Sequence, residues 1–498
     1  MRRLLRFLAL ALGFPLLFVL GVGLPALGVR WAWVSAFPSP PDAPHLAEKE
    51  AYLTSVPAAD PDQAPNFVVI FFDDLGWGDL SLQGNSLIST PHIDQAASEG
   101  LRMDHFYSAS PVCTPSRAAL LTGRYPPRTR TDTHVYFPDT MILGRIRRVL
   151  GQPNEIPADE IFLPEVLREA GYATGMVGKW HLGEMPGYRP TERGFDSYVG
   201  VHWSNDMVPL HLYRGTDVAE EDGRPPSTFG EHDEERPLGP GGIDQSRLTD
   251  LYTREAISFL EAQRESPFFL YLAHTFPHVP HYASPDHAGK SEGGVYGDVV
   301  EDLDRSTGAV LAALARLGLD ERTIVIITSD NGPDYGGSPG DLRGRKGQTY
   351  EGGQRVPLVV RWPGHIPPGE TDAMGMNIDV FPTLLALAGI PLPSDRTIDG
   401  RDLDRVWTGG ADSPHDELFY FPVLSSEPDA VRDDRFKLLG ETGVPGRNRP
   451  HLTRLDADAE AHDLRMKHPE DASRLGERLA SMREEIRENP RGWRSPER

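Results

Sequence analysis

Cysteine is almost absent from this chain, since Cys113 is the one cysteine among 498 residues. A single thiol excludes a disulfide within the chain and a zinc site built from several cysteines. Taken alone, such a residue is most often a small buried apolar side chain. Basic residues are also in the minority, with 50 Lys and Arg against 73 Asp and Glu. That excess of acid would repel a phosphate backbone, so we expect no nucleic-acid partner.

Long uncharged apolar stretches are scarce, and the longest lies at the N-terminus. Residues 7–29 carry no charge and follow Arg2, Arg3 and Arg6. This run is about as long as a membrane span, and its basic flank predicts that the body lies outside the cytoplasm. We interpret residues 1–36 as an export signal, an uncleaved membrane anchor in preference to a cleaved signal peptide. The expected location is the periplasm or the extracellular face.

The body has the composition of a folded enzyme, with 39% hydrophobic and 25% charged residues. Residues 66–72 and 323–328 are unbroken apolar runs typical of buried parallel strands, and residues 298–318 have the periodicity of an amphipathic helix. Such alternation predicts an α/β fold with a mostly parallel central sheet sandwiched by helices.

The same patterns divide the chain into segments. Residues 37–65 are rich in Pro, Ala and Asp, lack periodicity and are predicted to be a linker. Residues 66–390 form the predicted catalytic domain, in which the acidic, Gly- and Pro-rich residues 216–244 are interpreted as a surface insertion. Residues 391–498 combine short strand-like pieces with a final amphipathic helix beginning at Pro469, which predicts a smaller C-terminal α+β subdomain.

Two acidic clusters follow predicted strands. Asp73 and Asp74 come at the end of the first buried strand, and Asp330 and Asn331 follow the strand at 323–328. Ligand sites in open α/β sheets lie at the carboxyl ends of strands. Either cluster alone could equally cap a helix or form a turn. If the two strands are neighbours, these oxygen ligands together predict a site for a hard cation, calcium or magnesium.

A third cluster, residues 110–124, surrounds the lone cysteine. Pro115 is tolerated in a first helical turn, residues 118–121 are good helix formers and Gly123 can end a helix, so Cys113 is predicted at a helix N-terminus. Here the sequence resembles the formylglycine-dependent sulfatases, whose signature Cys-x-Pro-x-Arg is met by Cys113, Pro115 and Arg117. In that family the cysteine is oxidised after translation to formylglycine.

The resemblance extends over most of residues 66–390 through segments around Lys179 and His181, around His278 and around Lys346. It implies an alkaline-phosphatase-like fold and the hydrolysis of a sulfate monoester to an alcohol and inorganic sulfate. It also implies two partners, a formylglycine-generating enzyme and a sulfated small molecule or glycan as substrate. The implied metal ligands are Asp73, Asp74, Cys113, Asp330 and Asn331.

The resemblance further implies a role for each remaining site residue. Arg117 and Lys179 would steady the hydrated aldehyde, which supplies the nucleophile. Lys179, Lys346 and His278 would contact the sulfate, His278 would protonate the departing oxygen and His181 would deprotonate the remaining hydroxyl. Ser204 resembles a family serine near the sulfate, although the flanking positions depart from the family pattern. Outside this context, such lysines are usually solvated and such histidines structural.

The sequence is also compatible with two other functions. A phosphonate or phosphate monoester hydrolase of the same superfamily could use the same aldehyde. A non-catalytic surface protein that binds sulfated glycans is the alternative from a different class, and it would require the loss of catalytic groups, all of which are present.

Overall fold

The computed structural model describes residues 41–61, 63–132, 135–152, 154–208, 210–218, 243–440, 450–455 and 460–494. The predicted anchor, residues 1–36, lies outside these ranges, and so does most of the predicted insertion at 216–244. Among the described residues, no helix is both long and apolar enough to cross a membrane.

The centre of the fold is one large, mostly parallel sheet. Within the described residues it has ten strands, which are β1 (Asn66–Asp73), β2 (Leu101–Tyr107), β3 (Ala173–Lys179), β4 (Ser197–Val201), β5 (Tyr213–Arg214), β6 (Asp217–Val218), β7 (Phe268–Pro277), β8 (Thr323–Ser329), β9 (Leu358–Arg361) and β10 (Gly369–Met376). Their order across the sheet is β10-β2-β9-β8-β1-β7-β3-β4-β5-β6. Only β9 and β5, among these strands, run against the others.

Strand β1 shows why the central strands read as unbroken apolar runs. All eight of its residues are buried. Phe67, Val69 and Phe71 belong to the apolar core on one face of the sheet, and the residues between them belong to the core on the other face. A parallel strand covered on both sides needs apolar residues at every position.

Helices cover both faces of the sheet. In chain order the α-helices of the described residues are α1 (Leu46–Ser55), α2 (Pro91–Glu99), α3 (Cys113–Thr122), α4 (Ile142–Val149), α5 (Leu163–Glu169), α6 (Leu248–Ala262), α7 (Gly294–Leu317), α8 (Glu351–Gln354), α9 (Val380–Leu387), α10 (Asp404–Trp407) and α11 (Pro469–Glu488). Helices α3, α5 and α9 pack on one face, and α2, α6 and α7 pack on the other. The predicted fold class is confirmed.

A second, antiparallel sheet forms most of the C-terminal region. Its strands are β11 (Leu418–Tyr420), β12 (Ala430–Arg432), β13 (Phe436–Leu439) and β14 (His451–Arg454). Helix α11 begins at Pro469 as predicted, and Leu475, Leu479 and Ile486 join the apolar core of this sheet. The region has the α+β character expected from its sequence.

The predicted linker is not a spacer throughout. Residues Leu46–Ser55 form α1, and buried Lys49 places its Nζ 2.6 Å from Glu165 Oε1 on α5. Burial, with Arg193 adding to it, lowers the pKa of Lys49 to about 8 despite this partner. Tyr52 and Leu53 of α1 also pack against the core, but two adjacent apolar residues beside a buried charge do not form the repeating apolar stripe that sequence periodicity detects.

Candidate active site

The predicted site residues meet at one edge of the central sheet. Strands β8, β1, β7 and β3 are parallel neighbours, so their carboxyl ends lie side by side. Each of these ends carries a predicted residue, namely Asp73 and Asp74 at β1, Asp330 and Asn331 after β8, His278 after β7 and Lys179 at β3. The adjacency of β1 and β8 required by the cation-site hypothesis is present.

Cys113 is the first residue of α3 and lies against the β1 carboxylate. It is 1% exposed, and its Sγ is 3.3 Å from Asp73 Oδ1. The other oxygen of Asp73 accepts a 2.5 Å hydrogen bond from Lys179 Nζ, which also donates to Ser204 Oγ at 3.2 Å. Burial raises the pKa of the Cys113 thiol well above its ordinary value, and the Asp73 charge adds to this. The unmodified thiol therefore stays protonated.

Arg117 crosses beneath this site from α3. Its Nη2 lies 2.8 Å from Asp330 Oδ2 and 3.5 Å from Asp73 Oδ1, and its Nη1 donates to the Lys179 carbonyl. Burial acts to raise the pKa of Asp73, yet Lys179, His278 and Arg117 hold it well below its ordinary value. Burial and the neighbouring Asp73 raise the pKa of Asp330 to about 6 against the effect of Arg117.

Asp74 organises the other half of the site. Its φ of +67° lies in the left-handed region, which aspartate tolerates better than most residues. Its backbone N–H donates to Asp330 Oδ1 at 3.0 Å, and its carboxylate accepts 2.7 Å hydrogen bonds from Asn331 Nδ2 and Lys346 Nζ. Although burial lowers it, the Asp74 charge holds the pKa of Lys346 well above its ordinary value.

The two predicted histidines lie on different sides of the carboxylates. His278 Nδ1 is 2.6 Å from the Val279 carbonyl, and its Nε2 is 3.7 Å from Asp74 Oδ2. His181 Nε2 is 3.0 Å from the Tyr136 carbonyl, while its buried Nδ1 has no hydrogen-bond partner among the described residues. Burial, with Lys179 adding to it, lowers the pKa of His181 well below its ordinary value, so the ring is neutral at neutral pH.

The donor set fits a hard divalent cation. Asp73, Asp74, Cys113 and His278 bring one ligand atom each within 4.8 Å of one another. Asn331 Oδ1 is buried without a partner among the described residues, which is costly unless a ligand satisfies it. Asp330 borders this group, and its Oδ2 is already bonded to Arg117. The geometry thus places His278, which the sequence predicted as a sulfate contact and proton donor, beside the predicted metal ligands and brings Asp330 into contact with a guanidinium.

The net charge of the site also favours binding of such an ion. With His278 left out of the count, three carboxylates, those of Asp73, Asp74 and Asp330, balance the three cations Arg117, Lys179 and Lys346. A sulfate monoester would add one negative charge to this nearly solvent-free region, where uncompensated charge is expensive. A divalent cation would reverse that balance and leave the occupied site net positive.

The loop that carries Lys346 is attached to the C-terminal sheet. Glu351 begins α8 five residues later, and its Oε1 lies 2.9 Å from Lys437 Nζ on β13. Lys437 is completely buried and also lies 3.2 Å from Glu460 Oε1, while Tyr107 OH donates to Glu351 Oε2. The antiparallel sheet therefore supports one of the site's cations through a buried ionic network.

Several residues that support the site were not identified from sequence. Thr114 Oγ1 donates to the His181 carbonyl and accepts from the Tyr136 N–H, which joins three segments around His181. Ser329 Oγ accepts from the Leu75 N–H and donates to the Asn331 carbonyl. Ser329 sits beside a predicted ligand and could have been noticed, whereas nothing in the local sequence distinguishes Tyr136.

A sequence profile of the sulfatase family matches residues 65–390. The chain belongs to the sulfatase family. A second profile, described as the C-terminal part of N-sulphoglucosamine sulphohydrolase, matches residues 345–442. These matches confirm the resemblance drawn from the motifs and place this sulfatase-family chain in the alkaline phosphatase superfamily. Family membership supports sulfate ester hydrolysis as the class of reaction.

Named relatives agree with this assignment. The chain is 42% identical over 368 residues to the N-acetylgalactosamine-6-sulfatase of Mus musculus, an alignment covering 70% of this chain and 66% of that protein. It is 39% identical over 384 residues to the arylsulfatase A of Homo sapiens, covering 74% and 72% respectively. The first alignment thus leaves about a third of the relative's length unmatched.

A solved structure shares the fold. A protein from Bacteroides thetaiotaomicron, studied for the metabolism of multiple glycosaminoglycans, is similar with a TM-score of 0.74 and 30% identity. The similarity covers 85% of this chain and all of that one. The agreement therefore supports the fold over most of this chain.

Proposed function

We propose that this sulfatase-family chain hydrolyses a sulfate monoester to an alcohol and inorganic sulfate, with residue 113 in the formylglycine form. The observation that carries the proposal is the position of Cys113. It is buried at the N-terminus of α3, 3.3 Å from Asp73, and is surrounded by Arg117, Lys179 and Lys346. Such a setting suits an anionic tetrahedral group held against a nucleophile.

The environment of residue 113 supports conversion of the thiol. A cysteine nucleophile needs its thiolate, and burial next to the Asp73 carboxylate opposes thiolate formation. When hydrated, the formylglycine aldehyde supplies one hydroxyl for attack and a second ionisable hydroxyl for release of the sulfate. Arg117 and Lys179 are placed to orient that group because both contact Asp73, the residue that Cys113 touches.

We assign the cation site to Asp73, Asp74, Asp330 and Asn331 together with residue 113. Calcium is our first choice, because the ligands are oxygens in a loop-built site, and magnesium is the alternative. When bound, a divalent cation supplies positive charge that draws the sulfate in and lowers the cost of the charge that develops on its oxygens. Asn331 offers its amide oxygen to this site, since Nδ2 is already donating to Asp74.

The substrate would be held by side chains that reach the site from different strands. Lys179 and Lys346 supply positive charge, and Ser204 reaches the same place through its 3.2 Å hydrogen bond with Lys179. His278 presents Nε2 toward the cluster, because Nδ1 is engaged with the Val279 carbonyl. It is placed to give a proton to the departing alcohol oxygen.

His181 has the features of a proton acceptor. Its pKa is lowered by burial, so the ring is neutral, and Nε2–H is engaged by the Tyr136 carbonyl. The lone pair of Nδ1 therefore remains available, and no described residue donates to it. We assign His181 to removal of the proton from the second hydroxyl of residue 113, after which sulfate leaves.

Maturation and location complete the proposal. Conversion of Cys113 requires a formylglycine-generating enzyme as a partner, acting on residues 113–117 before they are buried in the fold. The apolar run at 7–29 supports export, with the body in the periplasm or outside the cell.

The decisive experiment combines mass spectrometry with kinetics. The protein would be produced with and without a co-expressed formylglycine-generating enzyme, and the tryptic peptide 103–117 would be analysed for aldehyde or thiol. We expect turnover of phenyl sulfate in proportion to the aldehyde fraction. Phenyl phosphonate serves as the matched substrate for the superfamily alternative. Full activity with an intact thiol at residue 113, or a preference for the phosphonate, would refute the proposal.

A further inference from the structure

Helix α4 has the reverse of the amphipathic arrangement expected on a water-facing surface. Ile142, Leu143, Ile146 and Leu150 are 61%, 45%, 40% and 65% exposed. Their spacing of one, three and four residues puts all four on one side of the helix. We refer to these four residues as the apolar face of α4.

Two of the three arginines of α4, Arg147 and Arg148, point the other way. Arg148 is buried, with Nε 2.5 Å from Asp139 and Nη1 3.1 Å from Glu155 Oε2. Arg147 is buried as well, donates to Asn154 and lies over the ring of Tyr136. The buried arginines thus attach the helix to the body, and its branched aliphatic side chains face outward. Four such residues together are unlike the isolated apolar residues normal on protein surfaces.

One exposed charge borders this face. Arg145 is exposed, donates to the Asp139 carbonyl and forms no ion pair with a described residue. A positive charge beside an exposed aliphatic surface is the combination that favours binding to an anionic lipid surface. The body as a whole is acidic, so this local arrangement differs from its surroundings.

The start of the described chain shows what lies near α4. Pro41 and Asp42 line a cavity together with Arg147 and Gly151. Arg147 is in the last turn of α4, and Gly151 follows Leu150 just beyond the end of that helix. The eleven residues 30–40 separate this point from the apolar run, and extended chain of that length reaches at most about 40 Å. If residues 7–29 are in a membrane, the point where the described chain starts, beside the end of α4, lies within about 40 Å of it.

We infer that the apolar face of α4 rests on the surface of a lipid bilayer. Eight residues are far too few to span the roughly 30 Å hydrocarbon core, so the contact is interfacial, with the helix lying along the membrane. Arg147 and Arg148 attach α4 to Tyr136, Asp139 and Glu155. Contact between α4 and the membrane would therefore fix the orientation of the body relative to the membrane. The inference rests on the predicted membrane segment and is independent of the proposed chemistry.

The test places a polarity-sensitive dye on the face in the full-length chain. Leu143→Cys supplies an exposed thiol, and the native Cys113 is 1% exposed, so the unsubstituted protein measures any background labelling. The matched control is Val295→Cys, because Val295 is 60% exposed and also lies on a helix, α7. Both proteins would be reconstituted into vesicles of phosphatidylcholine and phosphatidylglycerol, with and without nitroxide-labelled lipid.

We expect the dye at residue 143 to shift its emission to shorter wavelength on reconstitution and to lose most of its intensity to the nitroxide lipids. The dye at residue 295 should show neither change. An unshifted emission at residue 143 in vesicle-bound protein would overturn the inference. A shift without nitroxide quenching would also overturn it, because the face would then be covered by protein, either residues 1–40 or a second copy of the chain.

Discussion

His278 provides the sharpest test of the proposed chemistry, because its geometry assigns one nitrogen to the protein and the other to the substrate. Nδ1 is engaged with the Val279 carbonyl at 2.6 Å, and Nε2 points to the cluster, 3.7 Å from Asp74 Oδ2. The perturbation is His278→Ala. It removes a proton donor to the leaving oxygen. Because His278 is only 6% exposed, the substitution changes the solvent-accessible surface of the protein very little.

The size of the effect depends on the leaving group. A positioned general acid contributes roughly 10²- to 10⁴-fold, which corresponds to about 3–5 kcal/mol of barrier. An alkyl or sugar alcohol needs that proton to leave, whereas a nitrophenol leaves as a stable anion. We therefore expect His278→Ala to lower kcat/KM by about 10²-fold or more on a sugar sulfate and by much less on nitrophenyl sulfate.

The assay measures kcat/KM for a series of aryl and alkyl sulfates of increasing leaving-group pKa. The matched control is His281→Ala, three residues along the same loop, whose ring packs edge-on against Tyr296. The control should change both substrates by no more than a few-fold. Equal losses on both substrates for His278→Ala would assign His278 to sulfate binding instead, and no loss on either would remove it from the site.

Three further predictions concern the metal site and the buried ion pairs that hold the loop of Lys346. Exhaustive chelation should abolish activity, and added calcium should restore it. Asp330→Ala should lower activity by more than the roughly 10- to 100-fold typical of a residue that contacts only a metal ligand. Full activity after chelation would contradict the metal assignment. Asn331→Asp should bind calcium at least as tightly by titration calorimetry, yet raise KM by about 10-fold through added negative charge, and an unchanged KM would argue against its placement. Lys437→Met removes the ion-pair partner of buried Glu351, whose other oxygen keeps the Tyr107 hydrogen bond, so it should cost about 3–5 kcal/mol of stability and raise KM through the Lys346 loop. Lys49→Met, which breaks the buried pair with Glu165, is its control and should lower the thermal midpoint without changing KM.

Much of the fold and site could be predicted because the signals are local. Continuous apolar runs such as residues 66–72 indicate strands buried on both faces, and a residue at the end of such a strand must lie at the sheet edge. The Cys113, Pro115 and Arg117 spacing places a thiol at a helix N-terminus within ten residues of chain. These features depend on neighbours in sequence, so they survive without knowledge of the tertiary fold.

The sequence by itself therefore determined the class of fold, the strand-end carboxylates and the family signature. Only the tertiary structure decided which of these groups meet, because β1 and β8 are adjacent although some 250 residues separate them. It also decided that Asp330 bonds to Arg117, that Lys437 supports the loop of Lys346 through Glu351, and that α4 buries Arg147 and Arg148. Each of these outcomes depends on which side chain outside the element provides a counter-charge in a largely buried region, and the pattern within the element does not encode that choice.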